Sequence, residues 1–393
     1  MSTYLYEVLE RLIAFDTVSS RTVLPAVEYL ADHLSGHGFK TAIHRIDVLG
    51  LPQANLVAWA GPPSPDGLII TGHLDTVPFE GQPGWERNPL QMEIDAERVY
   101  GRGSSDMKGF LAQCAEAART LDKARLKRPV VFVITADEEV GMLGARELAP
   151  ALQGLLGDIP RPSLAWIGEP TSYSVLHAHK SICSFEVRVR GRGGHSGTPH
   201  HGVNAIAVMA RVIEALGRIQ AELRAEQKPD VADVFPESPY DVMNLGTVRG
   251  GLATNVIAEE CVLRASYRSL PSTDPLALFD EIKRRISAVD RHDFAGGELI
   301  ADIETTVLLA APSMWTERGS RLEKALFEVT GARTARGAQF ATDGAWFSSV
   351  GIQCLICGPG DYNQAHQPNE SIGREALERG PSIMTQVIER MCM

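Results

Sequence analysis

Three short runs of consecutive apolar residues each end in acidic or imidazole side chains. They are LIITGHLDTVP, VVFVITADEEVG and LAWIGEP. Such runs are typical of strands buried on both faces of a parallel sheet, because a half-exposed strand alternates apolar and polar residues. A buried strand cannot hold an unpaired charge, so charged groups gather where it leaves the core. Ligands bind beyond the carboxyl ends of strands in open parallel sheets, and the runs therefore predict a site there.

Helical stretches separate the apolar runs, and this alternation predicts the fold class. Strands are expected at 56–59, 68–71, 130–135 and 164–167, and helices at 5–15, 23–36, 109–121 and 145–152. Strands that alternate with helices form βαβ units. The first half therefore predicts an α/β fold with a mostly parallel sheet and helices on both faces.

The pattern changes near Lys180, where an inserted domain is predicted. Strands are expected at 184–189, 242–248, 260–267 and 299–308, and helices at 203–223 and 275–288. The order β-α-β-β-α-β is that of a ferredoxin-like sandwich. From about residue 310 the earlier pattern returns, with a helix expected at 318–329. We therefore predict a catalytic domain at 1–179 and 309–393, interrupted at 180–308 by an inserted ferredoxin-like α+β domain.

Composition and charge exclude several classes of protein. A chain of 393 residues is expected to form two domains, and its net charge of −11 argues against a nucleic-acid partner. The N-terminal run MSTYLYEVLERLIAFDTVSS is interrupted by charges, and no run approaches the ~20 apolar residues of a membrane span. Scattered cysteines favour a reducing, cytoplasmic location. Cys354 and Cys357 form a CxxC in an apolar run, which favours a buried strand over a metal or redox site.

The strand ends carry residues that are able to bind metal. His73 and Asp75 lie two apart, so on an extended chain they share a face, and the carboxylate could orient a metal-bound imidazole. Adjacent carboxylates such as Glu138 and Glu139 raise one another's pKa unless a cation neutralises them. Glu169 ends the third run. A single acid of this kind is compatible with a polar loop, but three such ends together predict a metal site.

Other candidate residues lie in glycine-rich segments. Asp106 in YGRGSSDMKG is a ligand or a helix N-cap, and His366 in GPGDYNQAHQPNE is a ligand or part of a surface turn. His195 lies in GRGGHSG, where the absence of a βαβ context argues against nucleotide binding. Asn255 and Arg268 lie in the insert, and arginine is the natural bidentate partner of a carboxylate. A charge at a strand edge is the alternative for the arginine.

Taken together, these segments resemble the M20 metallopeptidase family and, within it, the acetylornithine deacetylase branch. The matching segments are GHLDTVP, GRGSSDMKG, ADEEVG, IGEPT, GRGGHSG, GVNAI, the stretch 255–268 and GPGDYNQAHQPNE. They occur in order over nearly the whole chain. The branch assignment rests on IGEPTS with the AHK that follows, and on NQAHQPNE.

The resemblance implies a site for two divalent ions. Zinc is the expected metal, and cobalt is the alternative. His73 and Glu169 would bind one ion, and Glu139 and His366 would bind the other. Asp106 would bridge the two ions.

The same resemblance implies roles for the remaining candidates. Asp75 would orient the imidazole of the first ion's histidine, and Glu138 would be the general base and then the acid that protonates the leaving amine. His195 would stabilise the oxyanion in the partner's site of a homodimer formed through the inserted domain. Asn255 and Arg268 would bind the substrate's α-carboxylate.

The activity implied by the resemblance is hydrolysis of an N-acyl amino acid. The favoured substrate is N2-acetyl-L-ornithine, which gives ornithine and acetate in arginine biosynthesis. A succinyl-diaminopimelate desuccinylase, a broad N-acyl-aminoacylase and an enzyme for acetylcitrulline are alternatives with the same metal core. A dipeptidase or carboxypeptidase is disfavoured by Glu169, where peptidase relatives often have Asp. A non-catalytic scaffold is disfavoured because the implied ligands and base are all present.

Overall fold

The computed structural model describes residues 3–48, 50–293 and 299–393. The chain divides into two compact units. The first unit comprises Met1–Ala178, Met314–Ala338 and Thr342–Met393, and the second comprises His179–Ser313 and Gln339–Ala341. None of the helices within the described ranges combines the length and apolarity that a bilayer crossing requires.

The helices are numbered in chain order. Their bounds are α1 Thr3–Ala14, α2 Leu24–Gly36, α3 Lys108–Thr120, α4 Leu143–Leu155, α5 Ala205–Ala225, α6 Pro275–Ser287, α7 Arg321–Thr330, α8 Gly344–Ser349 and α9 Arg374–Cys392. The strands follow the same scheme. Their bounds are β1 Lys40–Val48, β2 Leu51–Ala60, β3 Leu68–His73, β4 Glu93–Ile94, β5 Arg98–Tyr100, β6 Val130–Thr135, β7 Leu164–Ile167, β8 Val175–His179, β9 Ile182–Arg190, β10 Gly194–His195, β11 Val242–Gly250, β12 Val256–Ile257, β13 Glu260–Arg268, β14 Asp302–Ala311, β15 Met314–Trp315, β16 Ala335–Ala338, β17 Gln353–Ile356 and β18 Ser371–Gly373.

The main sheet has a parallel centre with antiparallel flanks. Its strand order is β1-β2-β6-β3-β7-β17-β8-β15, with β16 paired to β8. Strands β6, β3, β7 and β17 are parallel, whereas β1 and β2 pair antiparallel, as do β2 and β6. His73 lies opposite Thr135, and Thr71 lies opposite Ile167. The carboxyl ends of the central strands therefore meet at one edge, and the predicted α/β fold is confirmed.

The continuous apolar runs result from burial on both faces of the sheet. In β6, Val130, Phe132 and Ile134 belong to the largest apolar cluster, to which α1, α2, α3, α7 and α9 contribute. Val131 and Val133 are equally buried but lie outside that cluster, on the opposite face of the strand. Each position of the strand is thus in the core, which is why its residues are apolar up to the terminal Thr135.

The second unit contains a four-stranded antiparallel sheet of order β11-β13-β9-β14. Helices α5 and α6 pack against it, giving the ferredoxin-like arrangement that the element order predicts. Along β9, Cys183, Phe185, Val187 and Val189 are buried and alternate with more exposed residues. One face of this sheet therefore packs on the two helices.

Some element boundaries differ from the predicted ones. The strand expected at 299–308 is β14, Asp302–Ala311, and the helix expected at 318–329 is α7, which begins after the N-cap Ser320. The alternation in β14 breaks near its end, where its pairing with β9 shifts register between Val307 and Leu309. Cys354 lies in β17 and Cys357 directly follows it, and both are fully buried. Burial raises the pKa of both thiols, and that of Cys354 reaches about 12, which confirms the buried-strand interpretation of the CxxC.

Candidate metal centre

The candidate site is formed where the parallel strands of the first unit end. His73 is the last residue of β3, Glu138 and Glu139 follow β6, and Glu169 follows β7. His366 lies in the loop between β17 and β18. These strands are neighbours and run in the same direction, so side chains distant in sequence converge at one edge of the sheet.

The five predicted ligands form a continuous set of contacts. His73 Nε2 lies 3.1 Å from Asp106 Oδ1 and 3.9 Å from Glu169 Oε2. His366 Nε2 lies 3.4 Å from Asp106 Oδ2 and 3.0 Å from Glu139 Oε2. Each oxygen of Asp106 thus faces a different imidazole. Ligand atoms of His73, Asp106 and Glu139 all lie within 4.8 Å of one another, a separation that one ion could span.

Asp75 holds this site in a way that differs from the sequence expectation. His73 Nδ1 lies 2.9 Å from the main-chain oxygen of Asp75 and 3.7 Å from its carboxylate oxygen. The carboxylate instead accepts hydrogen bonds from Ser19 Oγ at 2.7 Å and from the backbone N–H groups of Glu138 and Glu139 at 3.0 and 3.2 Å. The aspartate therefore orients the imidazole through its carbonyl and anchors the acidic loop through its side chain.

Asp106 lies in a tight turn that leads into α3. The N-cap of α3 is Met107, and no side-chain capping bond forms there, so the alternative of an Asp106 cap is wrong. Gly103 has φ +82°, and a Cβ there would lie 2.8 Å from Lys108 and 2.9 Å from Thr76. Only glycine fits this turn. The carboxylate is consequently directed at the histidines.

His366 has a strained backbone. Its φ is +62°, which is uncommon for a residue other than glycine. The side chain is about half exposed at 50%. The neighbouring Asn369, at φ +56°, accepts hydrogen bonds from the backbone of Glu86 and Arg87 and donates one to the carbonyl of Gly84 at 3.0 Å. Strain of this kind persists where surrounding contacts over-determine it, and it clusters at functional sites.

Three glutamates of the site have raised pKa values. Burial raises the pKa of Glu138, and the charge of Glu169 raises it further. Burial also raises the pKa of Glu169, and burial together with Asp106 raises that of Glu139. Carboxylates packed so closely disfavour one another's ionisation unless a cation is near.

The imidazoles supply positive charge in the metal-free protein. Hydrogen bonds to Asp106 and Glu139 raise the pKa of His366 to about 10. Burial opposes the charged form of His73, but the hydrogen bond to Asp106 and the nearby carboxylates raise its pKa well above the usual value. Burial opposes ionisation of Asp106, yet the two histidines hold its pKa below the usual range.

The donor set fits divalent transition ions. Calcium and magnesium prefer sites made of oxygen, whereas zinc and cobalt accept imidazole nitrogen together with carboxylate oxygen. Here two imidazoles converge with three carboxylates, and the acids need positive charge to ionise together. The residues that are present therefore fit the two ions that the resemblance implies.

Several residues around the centre have no role in the sequence prediction. Asp343 is buried, accepts a hydrogen bond from Thr135 Oγ1 at 2.5 Å, and has its pKa raised to about 7 by burial. Lys108 is buried and donates to the carbonyl of Phe15 at 3.0 Å, and burial lowers its pKa to about 7. Glu370 forms a buried ion pair with Arg102, in the turn that carries Asp106. It is the last residue of the segment NQAHQPNE. Sequence position could have suggested Glu370 and Lys108, because Lys108 lies in the matching segment GRGSSDMKG, but it could not have suggested Asp343.

The other predicted residues lie in the second unit. His195 pairs with Val256 across β10 and β12, and Asn255 accepts a backbone hydrogen bond from Ser196 at 3.1 Å, so His195 and Asn255 are neighbours. Arg268 ends β13 on the main sheet of that unit, opposite Val242. All five predicted metal ligands lie in the first unit.

Comparison with known proteins places the chain in a family. The sequence pattern that defines peptidase family M20/M25/M40 matches residues 69–390. The chain belongs to this family. Two relatives of this M20 chain are acetylornithine deacetylases. The one from Myxococcus xanthus is 30% identical over 98% of this chain and 96% of the relative. The one from Klebsiella pneumoniae is 32% identical over 98% of this chain and 97% of the relative.

Solved structures share the fold of the M20 chain. An M20 metallo-carboxypeptidase from Sulfolobus solfataricus has a TM-score of 0.79 at 19% identity, covering 100% of this chain and 99% of that one. A tripeptidase from Staphylococcus aureus has a TM-score of 0.74 at 21% identity, covering 98% of this chain and 97% of that one. The M20 chain is a metal-dependent hydrolase with the α/β fold and inserted antiparallel sheet of its family.

Proposed function

We propose that this hydrolase binds two divalent ions and deacylates N-acyl amino acids. Zinc is the proposed metal, and cobalt is the alternative. N2-acetyl-L-ornithine is the proposed substrate, and ornithine and acetate are the products. The observation that carries the proposal is the convergence of His73, Asp106, Glu139, Glu169 and His366 at one sheet edge. The choice of acyl amino acid is supported by full-length relatives that are named acetylornithine deacetylases. Under this proposal the enzyme acts in arginine biosynthesis and in the cytoplasm.

Each ligand has a proposed place. His73 and Glu169 would hold one ion and Glu139 and His366 would hold the other; Asp106, whose two oxygens face the two imidazoles, would serve both. When bound, the ions polarise the amide carbonyl and lower the pKa of water to roughly 7. The main-chain carbonyl of an aspartate fixes the ring of His73.

Glu138 is the proposed proton carrier. Its backbone N–H is fixed by Asp75, and burial together with Glu169 raises the pKa of its carboxyl group. A carboxylate of raised pKa is a better match for proton transfer near neutrality. Glu138 takes a proton from the attacking water and then delivers it to the amide nitrogen, so that the amine can leave.

Three residues of the second unit complete the proposal. His195 stabilises the oxyanion of the partner's site in a homodimer formed through the second unit. Asn255 and Arg268 bind the substrate's α-carboxylate, for which the planar guanidinium is suited. Substitution of either residue is expected to raise KM more than it lowers kcat.

A substrate panel tests the proposal. Metal-loaded protein is given acetylornithine, acetylcitrulline, acetylmethionine and succinyl-diaminopimelate, and kcat/KM is measured for each. We expect the largest value for acetylornithine, with a Glu138→Gln protein from the same preparation as the control for contaminating hydrolases. Activity confined to the succinyl compound would contradict the deacetylase assignment. Comparable rates on all the acetyl compounds would indicate a broad N-acyl-aminoacylase.

A further inference from the structure

Glu370 is a buried carboxylate that is saturated with hydrogen-bond donors. It is 1% exposed. Its Oε1 accepts from the backbone N–H groups of Ser105 at 3.0 Å and Asp106 at 2.9 Å. Its Oε2 accepts from the backbone N–H of Gly103 and from Arg102 Nη1, both at 2.9 Å. One side chain thus holds the whole turn that presents the bridging aspartate.

Arg102 extends these contacts to the histidine loop. Its Nη2 donates to Gln82 Oε1 at 2.6 Å, and Gln82 Nε2 donates to the main-chain oxygen of His366 at 2.7 Å. The guanidinium also lies over the ring of Trp85, 4.9 Å from its centroid. Glu370 itself is four residues beyond His366 in the sequence. The Arg102–Glu370 ion pair therefore joins the two loops that carry Asp106 and His366, alongside the hydrogen bonds between Ser105 and Asp361.

We propose that Arg102 and Glu370 are positioning residues that fix Asp106 and His366 relative to each other before any ion binds. The role rests on the proposed two-ion function. A buried ion pair gives little net stability, because desolvation offsets its attraction, but it fixes geometry where every partner is satisfied. Here both oxygens of the Glu370 carboxylate are used twice, whereas the buried Nε of Arg102 has no hydrogen-bond partner among the described residues. The ligand set is thus formed in advance, and the ions need not reorganise it.

The donor pattern explains why a carboxylate is needed at Glu370. A glutamine side chain has one acceptor oxygen and an NH2 group that only donates. Whichever way the amide turns, its NH2 would face two donors, which are either the N–H groups of Ser105 and Asp106 or that of Gly103 and Arg102. The Glu370→Gln substitution changes few atoms yet removes two hydrogen bonds to the Asp106 turn.

Metal binding measures this role directly. Zinc affinity is determined for the wild-type chain and Glu370→Gln by competition with a chromogenic chelator, and cobalt-loaded protein is compared by its visible absorption. We expect about 10–100-fold weaker binding of at least one ion, the range typical for loss of a residue that supports a ligand. We also expect an altered cobalt spectrum. At saturating metal, kcat should fall while KM changes little.

Glu323→Gln is the matched control. Glu323 is also a buried carboxylate that accepts a backbone N–H, from Gly319, but it lies in the first turn of α7. Its substitution should leave zinc affinity and the cobalt spectrum unchanged, whatever it does to the unfolding temperature. A Gln82→Met variant, altered at a partly exposed position, should weaken zinc binding in the same direction as Glu370→Gln but less. It provides the test if Glu370→Gln does not fold.

The outcomes separate this role from the function on which it rests. Suppose that wild-type protein binds two ions and hydrolyses substrate, while Glu370→Gln and Gln82→Met match it in zinc affinity and cobalt spectrum. The positioning role is then refuted and the proposed function stands. If wild-type protein binds no divalent ion, the proposed function fails and takes the positioning role with it. If Glu323→Gln weakens zinc binding as much as Glu370→Gln, the effect is one of general stability and the role is likewise refuted.

Discussion

Glu138 and Glu139 are adjacent in sequence but differ in their surroundings. The carboxylate of Glu139 contacts the imidazole of His366 at 3.0 Å. Burial is the largest cause of the raised pKa of both groups, and the next cause is the charge of Glu169 for Glu138 and that of Asp106 for Glu139. The backbone of both residues is held by the same aspartate, Asp75. The proposed function accordingly takes Glu139 as a ligand and Glu138 as the acid or base.

This difference predicts the behaviour of Glu138→Gln. Turnover should fall by roughly 10²–10⁴-fold, the usual contribution of a general acid–base group. Zinc affinity should stay close to the wild-type value, because the amide replaces a residue that holds no ion. Steady-state kinetics and equilibrium metal binding measure the two effects, with Glu147→Gln on the exposed side of α4 as the control. Parallel loss of metal and activity would mean that Glu138 is a ligand.

The charge state of His366 predicts a pH dependence of metal binding. Hydrogen bonds to Asp106 and Glu139 raise its pKa in the metal-free protein to about 10, so near neutrality the imidazole carries a proton. A metal ligand must be deprotonated, and binding therefore releases that proton. Affinity should rise with pH, roughly tenfold per unit for each proton released, until the pH reaches the pKa of the free site.

Titration calorimetry in buffers of different ionisation heat counts the protons released by each ion. The count should be positive near neutrality and unchanged in a His201→Ala control, which removes an exposed imidazole of the second unit. A metal affinity that does not vary with pH would show that the histidines are already neutral in the metal-free protein.

At the scale of elements, close packing of α3 against α9 depends on Gly380. A Cβ at this position would lie 2.0 Å from the side-chain amide of Gln113. That amide donates hydrogen bonds from α3 to the carbonyls of Leu377 and Ala376 at 2.9 and 3.1 Å. Pro381 follows directly and disfavours a helical residue with a Cβ before it. The two helices can approach this closely only at glycine.

Gly380→Ala should therefore lower the free energy of unfolding by about 1–3 kcal/mol, the usual cost of overpacking. The better helix propensity of alanine, worth up to about 1 kcal/mol, does not offset it. Denaturant unfolding measures the change. Gly154→Ala on α4 is the control, because its Cβ would meet no atom within 4 Å and stability should be unchanged or slightly raised. Equal stability of the two variants would mean that α3 and α9 adjust without cost.

Elements with a strong local signal could be predicted, and those shaped by distant contacts could not. The strand Val130–Thr135 has the predicted bounds because each of its positions is buried. By contrast β1, Lys40–Val48, was not predicted, because its side chains are half-exposed and its pairing with β2 supplies what the sequence lacks. The same holds in the site. Three of the predicted ligands, His73, Glu139 and Glu169, lie at or just beyond the ends of recognisable strands, whereas the role of Glu370 depends on a turn 264 residues earlier in the chain.

At the scale of the whole molecule, each unit has its own apolar core. The predicted metal ligands belong to the first unit, and the proposed oxyanion residue His195 belongs to the second. In a homodimer formed through the second unit, that histidine would act on the partner's site. Catalysis would then require two chains, although each chain carries a full set of ligands.

Mixed dimers test this arrangement. A Glu138→Ala chain and a His195→Ala chain, each inactive alone, are unfolded together, refolded and assayed. Each hybrid should contain one intact site, so activity should recover to about a quarter of the wild-type value if chains pair at random. Mixing Glu138→Ala with Glu139→Ala should recover nothing, because both changes disable residues of the first unit. No recovery in the first mixture would place the action of His195 within a single chain.

The burial of the thiols has a practical consequence. All of the cysteines are reduced and inaccessible in the folded chain, with Cys183 and Cys261 in the second unit and the others in the first. An alkylating reagent can modify such a sulfur only while the surrounding structure is open. The rate at which each cysteine is labelled, read by peptide mass, would thus time the opening of each half of the enzyme separately. Added zinc should lower the rate of alkylation at the cysteines of the first unit, which are Cys114, Cys354, Cys357 and Cys392.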